Sequence, residues 1–485
     1  MRNSRINQNG RRVTLVVVQI VFLLKPFLLN MCSVQEEDLE NVPSELQNKP
    51  CKEKNRDGRT CMKCSASPAA VVVRLNDPLC KSCFLAYFTH KFRATIGKSR
   101  AIKAGEKVLL AFSGGPSSSA MLHLVCEGLS NTAVKKLRFE PGIAFIDEGE
   151  VLKQSKEERV NYIEHIRDVA IRSKFPFHQL KLEDIFSPGQ IMQDDAMCCY
   201  KVEGDQTRTH QAEKLKNLFD ATSSMTAKED LLRTLRCKLL LATARNVGYS
   251  KIMFADCASR ISVRLLSDIS QGRGGDLPYD TGFSDDRHGD VLFVRPMREF
   301  MTKEIALYNF FNNVETVLIP TLGTMTHSHA SIDRLTEDFV SGLQADFPFT
   351  VSTIFRTGDK LSVKEVSEDV AACALCGVPM NVNPTLLSAL TDSVSSVKLD
   401  TDDKNTPQSA SDCCGGCGSG CLSSSSEQVL TKENILDTFC YGCRLTFKDS
   451  KFTVSDLPSS VQEAATKVHH RAQMKEQIKD FLLDE

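Results

Sequence analysis

Paired cysteines are the residues of this chain whose types and spacing are best suited to chemistry. A CxxC turn places two thiolates on one edge of a tetrahedron, so two such turns together give zinc its four soft ligands. Fifteen residues separate Cys64 from Cys80, a usual span for a zinc ribbon or knuckle. We expect an amino-terminal cluster and a carboxyl-terminal cluster with these ligands: Cys61, Cys64, Cys80 and Cys83; and Cys373, Cys376, Cys440 and Cys443.

Four cysteine ligands would fill each zinc site, so the metal would be structural and would have no open position for catalysis. Buried or redox-active cysteines are the alternative interpretation of both clusters. We expect Cys198 and Cys199 to pack or to lie on a loop. Another four cysteines fall in a serine-rich insert, where we expect unstructured thiols: Cys413, Cys414, Cys417 and Cys421.

The cysteine count and the first thirty residues point to different compartments. Nineteen cysteines, mostly in CxxC pairs or apolar runs, favour a reducing compartment over a disulfide framework. Four arginines followed by the apolar run Val13–Leu24 instead look like a secretory signal, although the run is short for a bilayer span. We favour translation from Met31, with residues 1–30 as an upstream extension, because a secretory lumen would oxidise zinc thiolates.

A glycine-serine segment is the second group of residues with chemical potential. The apolar run Lys107–Phe112 predicts a buried strand, and a helix is expected from Ser117 to about Leu129. Backbone amides between a strand and a helix N-terminus can surround an anion, and glycines let the backbone approach it. The Walker A pattern is absent. We expect a nucleotide phosphate at Ser113, Gly114, Gly115, Ser117 and Ser118, with a simple tight turn as the alternative.

Alternating strands and helices must position this loop. After Lys107–Phe112, strands are predicted at 143–146, 177–182, 251–255 and 291–294, and helices at 156–173, 228–247 and 261–269, with an irregular stretch before residue 228. Such alternation predicts an α/β fold with a parallel sheet and helices on both faces. Ligands then bind at the carboxyl ends of the strands.

A basic stretch follows the amino-terminal cluster. The whole chain has a formal net charge of −1, so a polyanion would have to be held by a local patch. Lysines and arginines between residues 91 and 107 could contact phosphates beside a rigid cysteine cluster. A solvated helix face is the alternative, and core packing is the alternative for the nearby aromatic residues. The residues expected to contact the phosphates of a nucleic acid are Lys91, Arg93, Lys98, Arg100 and Lys103.

Composition divides the chain into five parts. We expect a disordered leader over 1–60, the amino-terminal cluster with a basic helix over 61–100, and the α/β domain over 101–360. The carboxyl-terminal cluster follows over 361–450, with a disordered insert at 393–428, and a terminal helix occupies 451–485. His469, His470 and Arg471 of that helix are a weaker candidate for RNA contact.

Two segments carry a resemblance to known families. Ser113–Ser118 resembles the SGGxDS loop of the PP-loop ATP pyrophosphatases, which adenylate a carbonyl oxygen and release pyrophosphate. With the cysteine clusters, Gln271–Pro278 and Val294–Tyr308, the chain from about Cys61 onward resembles the cytoplasmic tRNA 2-thiolation protein 2 family. The resemblance implies a cytosolic heterodimer with a catalytic thiolase subunit, away from any membrane. It also implies conversion of wobble uridine, U34, to 2-thiouridine with sulfur from a thiocarboxylated ubiquitin-like carrier, and ATP as a candidate cofactor beside zinc.

Departures from the family pattern bear on catalysis. Ser117 stands where the loop has an aspartate, and Thr234-Leu-Arg-Cys237 replaces a catalytic CxxC. No cysteine occurs between Cys257 and Cys373, although sulfur transfer through a persulfide needs two thiols within reach. We therefore assign no catalytic residue and expect Cys237 and Cys257 to be core thiols.

Two other functions remain open from the sequence. The first is a self-sufficient PP-loop ATP-dependent enzyme that thiolates or amidates, and the second is a non-enzymatic zinc scaffold that binds RNA. Three charged residues near the last strand could touch nucleotide or tRNA, or could simply be solvated at the start of a helix: Arg295, Arg298 and Glu304.

Overall fold

The computed structural model describes residues 60–73, 77–131, 136–187, 205–327, 330–361, 370–380 and 431–477. The predicted leader, the apolar opening segment and the insert at 393–428 lie outside these residues. Eight of the cysteines lie outside them as well: Cys32, Cys51, Cys198, Cys199, Cys413, Cys414, Cys417 and Cys421. Among the described helices, none has the length and apolar character needed to cross a bilayer.

In the part of the chain that the structure describes, eight strands form two sheets. Strands β1 (Val71–Val73) and β2 (Asp77–Leu79) pair as an antiparallel hairpin. The larger sheet has the order β5-β4-β3-β6-β8-β7. Its strands are β3 (Lys107–Ala111), β4 (Glu140–Asp147), β5 (Phe177–Lys181), β6 (Lys251–Met253), β7 (Ser284–Asp285) and β8 (Leu292–Val294).

Helices connect these strands and complete the described chain. They are α1 (Lys81–Ser99), α2 (Pro116–Leu129), α3 (Lys156–Ser173), α4 (Asp205–Ala221), α5 (Met225–Val247), α6 (Ala258–Ser270), α7 (Leu277–Thr281), α8 (Thr302–Asn312), α9 (Ile332–Asp346), α10 (Thr350–Gly358), α11 (Lys432–Asp437), α12 (Tyr441–Phe447) and α13 (Ser459–Gln477). Two short 3₁₀ turns occupy Leu182–Phe186 and Val454–Asp456.

The predicted α/β fold is confirmed, with a mostly parallel sheet. Strand β3 has β4 and then β5 on one side, and β6 and then β8 on the other. All five of these strands are parallel. Right-handed crossovers then place the connecting helices on both faces of the sheet. The order reverses between β3 and β6, and ligands of such sheets bind in the crevice at this switch point.

One edge of the sheet departs from the expected parallel arrangement. Strand β7 pairs with β8 in antiparallel fashion, with Ser284 opposite Val294. Only six residues join the two strands, and a parallel connection needs a crossover of a dozen or more.

Two predicted segments are corrected. Helix α4 occupies part of the stretch expected to be irregular, and its apolar residues Leu215, Leu218 and Phe219 pack into the core. The basic helix, for which the residue spacing in the sequence indicates Ala86 to Ile102, instead runs from Lys81, directly after Cys80, to Ser99. Arg100 then has a φ of 52°, which a continuing right-handed helix does not accommodate.

The core of the α/β part extends into the carboxyl-terminal elements. Leu109 of β3 and Ile252 of β6 lie in one hydrophobic cluster with Leu235 and Leu239 of α5. The same cluster contains ligand-type cysteines and residues of α12 and α13: Cys373, Cys443, Phe447, Val461 and Ala465. The carboxyl-terminal cluster therefore folds as part of the α/β core.

The chain divides into two compact units. The first consists of the residues up to Ala86 together with Glu337–Thr353. The second consists of Tyr87–Thr336 together with the residues from Ile354 onward. The amino-terminal cluster belongs to the first unit, and the large sheet with the carboxyl-terminal cluster belongs to the second.

Candidate functional site

The amino-terminal cluster is built by a turn and a hairpin. The amide of Ser65 donates to the carbonyl oxygen of Cys61 at 2.8 Å, and Ser65 has a φ of 53°, so the chain curls back after the first CxxC. Strands β1 and β2 then return the chain to Cys80. The Sγ atoms of Cys64 and Cys80 are 3.8 Å apart, and all four Sγ atoms, with that of Cys83, lie within 4.8 Å of one another.

The carboxyl-terminal cluster repeats this construction. The amide of Gly377 donates to the carbonyl oxygen of Cys373 at 2.9 Å, and Gly377 has a φ of 78° at the position that corresponds to Ser65. The amide of Cys440 donates to the Sγ of Cys373 at 3.2 Å. The Sγ atoms of Cys376 and Cys440 are 3.6 Å apart, and the four Sγ atoms again lie within 4.8 Å.

Both clusters fit one tetrahedral metal ion. Zinc binds thiolates at about 2.3 Å, and a tetrahedron with that radius has edges of roughly 3.8 Å. The 3.8 Å and 3.6 Å sulfur separations match that edge. A four-iron cluster would have to place all its irons between the same thiolates, and it needs more room. The predicted ligands are thus brought together, and each group could hold a metal ion.

Hydrogen bonds among the carboxyl-terminal cysteines shift their acidities in opposite directions: the pKa of Cys376 is lowered with that of Cys373, whereas the pKa values of Cys440 and Cys443 are raised. Burial by itself raises the pKa of Cys373, but hydrogen bonds from Cys376, Cys440 and Cys443 outweigh it and bring this pKa well below its usual value. A metal ligand must be deprotonated, so a cysteine with a lowered pKa is predisposed to bind.

Two cationic side chains hold the carboxyl-terminal cluster against the α/β core. Lys238 of α5 donates from Nζ to the carbonyl oxygen of Ala374 at 3.2 Å. Burial lowers the pKa of Lys238, while the cysteines of the cluster raise it. Arg273 donates from Nη2 to the carbonyl oxygen of Gly442 at 3.3 Å and to Oγ1 of Thr446 at 3.0 Å.

The glycine-serine segment forms a tight loop between β3 and α2. Gly114 has a φ of 78°, and Pro116 is the first residue of the helix, where a missing amide hydrogen costs nothing. The amide of Ser113 donates to Oγ of Ser118 at 3.3 Å, and that hydroxyl donates to the carbonyl oxygen of Gly115 at 3.0 Å. The loop follows the carboxyl end of β3, as expected from its place in the sequence, and β3 borders the switch point of the sheet.

A segment after α8 supports the loop from outside. The amide of Val317 donates to the carbonyl oxygen of Gly114 at 2.9 Å. A Cβ atom at Gly114 would lie 2.4 Å from Cδ1 of Ile166 and 3.2 Å from Cβ of Val317. Asn309 of α8 donates from Nδ2 to the carbonyl oxygen of Pro116 at 2.9 Å. Glycine is therefore required at 114 both by its backbone conformation and by its neighbours.

Charged side chains crowd the carboxyl ends of β4 and β6. Arg236 of α5 forms a two-pronged ion pair with Glu148, the residue directly after β4. Asp256, three residues after β6, lies 3.4 Å from Nη1 of Arg264 and 3.5 Å from Nε of Arg295. These arginines lower the pKa of Asp256 against the opposing effect of burial. Only Arg295 of this network was expected from the sequence to have a functional contact; the acidic pair Asp147-Glu148, directly after the predicted strand 143–146, was the available signal for the rest.

The two thiols nearest this network have no catalytic signature. Burial raises the pKa of Cys237, and Arg264 only partly offsets that effect. Cys257 is buried at the start of α6, with its Sγ 3.5 Å from Oγ1 of Thr302. A nucleophilic cysteine has a lowered pKa and access to solvent, whereas Cys237 is half-buried with a raised pKa and Cys257 is buried.

Comparisons with known proteins identify the family. The profile of the family described as cytoplasmic tRNA 2-thiolation protein 2 matches residues 331–445. Cytoplasmic tRNA 2-thiolation protein 2-A of Xenopus laevis is 42% identical over 88% of this chain and 95% of its own length. The chain belongs to the cytoplasmic tRNA 2-thiolation protein 2 family. The human family member is 36% identical over 94% of this chain and 98% of its own.

One solved structure with a similar fold is the U34-tRNA thiolase NcsA from Methanococcus maripaludis with its [4Fe-4S] cluster. It has a TM-score of 0.48 and 13% identity, and the alignment covers 71% of this chain and 99% of that one. Within this chain, the segment matched by the family profile includes the four cysteines of the carboxyl-terminal cluster.

The predicted tRNA-binding residues of this family member divide into two groups. Lys98, Arg100 and Lys103 are exposed. Lys91 instead donates to the carbonyl oxygen of Glu299 at 2.9 Å and lies 3.5 Å from a carboxylate oxygen of Glu304. Arg93 of the same helix pairs with Glu127 at 3.2 Å. Both side chains therefore form ion pairs or hydrogen bonds with other parts of the fold.

The three charged residues near the last strand are also engaged internally. Arg295 donates from Nη1 to the carbonyl oxygen of Tyr279 at 2.9 Å, and Arg298 pairs with Asp359 at 2.7 Å. Glu304 is buried and accepts from the amide of Met301 in a capping box at the start of α8. Their contacts support the fold around the switch point.

Proposed function

We propose that this chain is a subunit of a cytoplasmic heterodimer that converts U34 of tRNAs to 2-thiouridine. The partner is a catalytic thiolase subunit, and sulfur comes from a thiocarboxylated ubiquitin-like carrier. Support comes from membership in a family whose members are named as cytoplasmic tRNA 2-thiolation proteins. The division into a leader, two cysteine clusters, an α/β domain and a terminal helix is part of this proposal.

The non-catalytic role is supported by two properties of the thiols beside the switch point, the raised pKa of one and the burial of the other. When the outer sulfur of a cysteine persulfide attacks an activated carbon and displaces its leaving group, the product is a disulfide between substrate and cysteine. A second thiol must then attack the cysteine sulfur, which leaves the transferred sulfur on the substrate and a disulfide between the two cysteines. Cys237 has a raised pKa, and Cys257 is buried against Thr302. Neither is disposed to supply the thiolate that begins such a cycle. We therefore assign the sulfur chemistry to the partner.

The cysteine clusters are proposed to hold zinc as a structural metal. Each would have four thiolate ligands and no position for substrate: Cys61, Cys64, Cys80 and Cys83; and Cys373, Cys376, Cys440 and Cys443. When bound, the zinc would fix the thiolates and stabilise the two knuckles. Lys238 would then offset part of the negative charge of the carboxyl-terminal site.

The loop at Ser113, Gly114, Gly115, Ser117 and Ser118 is proposed to bind the phosphates of ATP weakly. Its support is the helix N-terminus of α2, whose first amides lack partners within a helix. Ser117 brings no carboxylate for magnesium, and the amide of Ser113 is already bonded to Ser118. These two features favour a second candidate function, an RNA-binding zinc scaffold without nucleotide affinity.

The tRNA contacts are proposed to come from exposed residues in the last turn of α1 and directly after it. Lys98, Arg100 and Lys103 would hold phosphates, while Lys91 and Arg93 would maintain the geometry of the helix that carries them. The acidic partners of Lys91 and Arg93 reduce the attraction that those two residues could offer to RNA.

Pyrophosphate release from ATP tests the division of labour. The chain alone, the thiolase subunit alone and the reconstituted pair are each incubated with ATP, tRNA and the sulfur carrier. We expect release only where the thiolase subunit is present, with the pair more active than the subunit alone. Comparable release by the isolated chain would contradict the proposal and favour a self-sufficient enzyme.

A further inference from the structure

Two arginines in the first turns of α6 have guanidinium groups that the fold leaves largely available. Arg260 is exposed and has no hydrogen bond or ion pair with any other described residue. Within the same part of the chain, Arg264 has one such contact, from Nη1 to Asp256 at 3.4 Å, and its side chain is 22% exposed. A guanidinium group has five N–H donors, so most of the donors of both residues can reach a ligand.

The helix gathers both guanidinium groups at the carboxyl end of β6. Helix α6 begins at Ala258, and four residues separate it from the end of that strand. Residues four apart share one face of a helix, and helical side chains lean toward the N-terminus, so Arg264 lies over the turn that carries Arg260. The amide of Ala258 donates to the carbonyl oxygen of Phe300 at 2.8 Å, which fixes the start of the helix.

One carboxylate lies among these positive charges. Asp256 is 3.4 Å from Arg264 and 3.5 Å from Nε of Arg295, a buried atom without a hydrogen bond to any described residue. Burial raises the pKa of Asp256, but Arg264, Arg295 and Arg260 together lower it below its usual value. A single negative charge is thus shared by three arginines, and its side chain is mostly buried.

The surrounding ion pairs do not cancel this excess. A continuous series of pairs contains equal numbers of each sign: Arg264, Arg295 and Arg287; and Asp256, Asp285 and Asp280. Its other two carboxylates lie at the end with Arg287. The neighbouring pairs carry no net charge: Arg236 with Glu148; and Arg233 and Arg273 with Asp230 and Asp268. Exposed Glu299 and Lys303 add one charge of each sign. Arg260 therefore leaves the end beside Arg264 positive.

The positive end of the series lies at the edge of the sheet where a ligand is expected. Strand β3, with its glycine-serine loop, lies between β4 and β6. Glu148, directly after β4, pairs with Arg236, and Asp256 follows β6 by three residues, so charged side chains flank the loop on both sides. Ligands of parallel sheets bind in this crevice, between the carboxyl ends of the strands at the switch point.

We infer that Arg260 and Arg264 form a phosphate-binding site beside the glycine-serine loop. Guanidinium groups bind phosphate through their charge and through paired N–H donors. The phosphate belongs to tRNA or to a free nucleotide, and the inference rests on the function proposed above, which brings both to this chain. Asp256 and Arg295 position Arg264 and do not themselves touch the phosphate.

Binding of tRNA and of ATP to the purified full-length chain distinguishes the two sources. Arg260→Ala with Arg264→Ala is compared with the control Arg172→Ala with Arg245→Ala, which removes the same charge from two exposed ion pairs. If the phosphate belongs to tRNA, filter binding should show at least about tenfold weaker affinity. The slope of log K against log salt concentration should then fall by about two.

ATP binding, measured by calorimetry, is the second arm of the experiment. If the phosphate belongs to a nucleotide, the same double variant should lose at least about tenfold in affinity for ATP while tRNA binding is kept. The control variant should leave both affinities unchanged. Replacement of both arginines by lysine should keep the salt dependence and still weaken binding, because an ammonium group lacks the paired donors.

Arg260→Glu separates phosphate binding from folding. Since Arg260 has no hydrogen bond or ion pair among the described residues, the melting temperature should be unaltered while phosphate binding is weakened. Unchanged affinity of this variant for both tRNA and ATP would overturn the site and leave the proposed function intact. If the unchanged chain binds neither ligand, alone or with the thiolase subunit, the site and the proposed tRNA contacts are rejected together.

Discussion

Arg273 donates a hydrogen bond to the backbone carbonyl of Gly442, inside the second CxxC turn of the carboxyl-terminal cluster. The same guanidinium lies 2.9 Å from a carboxylate oxygen of Asp230 on α5. A Cβ atom at Gly442 would lie 2.6 Å from Cγ of Arg273, so the turn and the arginine fit closely. The segment Gln271–Pro278, singled out in the sequence, thus joins the cysteine cluster to the α/β core.

Replacing Arg273 by methionine should be strongly destabilising. Asp230 would lose one of its two partners and remain buried, although Arg233 still pairs with it at 3.0 Å. We expect the free energy of unfolding, measured with urea, to fall by about 3 kcal/mol. Arg245→Ala is the control, because its pair with Asp290 is exposed and should contribute no more than about 1 kcal/mol. Equal effects of the two changes would contradict the account of Arg273.

Two neighbouring glycines of the loop between β3 and α2 should differ in how much stability is lost when each is replaced by alanine. Gly114→Ala introduces a Cβ at a φ of 78° and against Ile166, which should cost about 3 kcal/mol in the free energy of unfolding. Gly115 has a φ of −68°, and its Cβ would meet Oγ of Ser113 at 3.6 Å, an ordinary contact. Gly115→Ala should therefore cost less than about 1 kcal/mol. A tolerated Gly114→Ala would show that the loop does not have this conformation.

His288 should contribute a pH-dependent term to stability. Burial lowers the pKa of His288 to about 4, with Asp285 acting in the opposite direction. Between that value and its usual pKa near 6.5, the unfolded chain binds a proton that the folded chain does not. Stability should therefore fall as the pH decreases from about 6.5 to 4, by roughly 2–3 kcal/mol from this group.

Comparison with His288→Gln isolates that term, because the clustered cysteines and the other titratable groups are the same in both proteins. The free energies of unfolding are measured at pH 7 and pH 4.5. The wild-type chain should lose more stability than the variant over this interval. An identical loss would show that the imidazole is not buried as described.

The salt dependence of tRNA binding should separate the two groups of basic residues. Lys98→Ala, Arg100→Ala and Lys103→Ala should each lower the slope of log K against log salt concentration by about one. Lys91→Ala should instead lower the melting temperature, since Lys91 holds Glu304 and the carbonyl of Glu299. Filter binding at several salt concentrations measures the slope. A decrease for Lys91→Ala equal to that for Lys98→Ala would contradict the assignment.

Most of the sheet could be predicted from the sequence because its strands are short apolar runs between helices with clear periodicity. Helix α3 has its predicted bounds, Lys156–Ser173, which a capping box from Ser155 fixes at one end. Helix α4 was missed because only a few apolar residues, Leu215, Leu218 and Phe219 among them, mark its buried face. Strand β7 is two residues long and carries no periodic signal.

The candidate site was predictable where its residues are local and was not where its partners are distant. Cysteine spacing was enough to expect two groups of four thiols. The internal role of Lys91 depends on Glu304, 213 residues further along the chain, and no local pattern reveals such a contact. The exposure of Phe347 and Phe349 could not be predicted either, since apolar residues in a sequence ordinarily indicate burial.

The amount of 2-thiouridine in bulk tRNA is the most direct test of a required but non-catalytic subunit. Nucleosides are quantified by mass spectrometry in cells that lack the chain and in cells rescued with Cys237→Ala and Cys257→Ser together. We predict that 2-thiouridine derivatives disappear on deletion and that the doubly substituted chain restores them. Unchanged levels on deletion would contradict the assignment to tRNA thiolation. Failure of the folded, thiolase-bound variant to restore them would contradict the non-catalytic role.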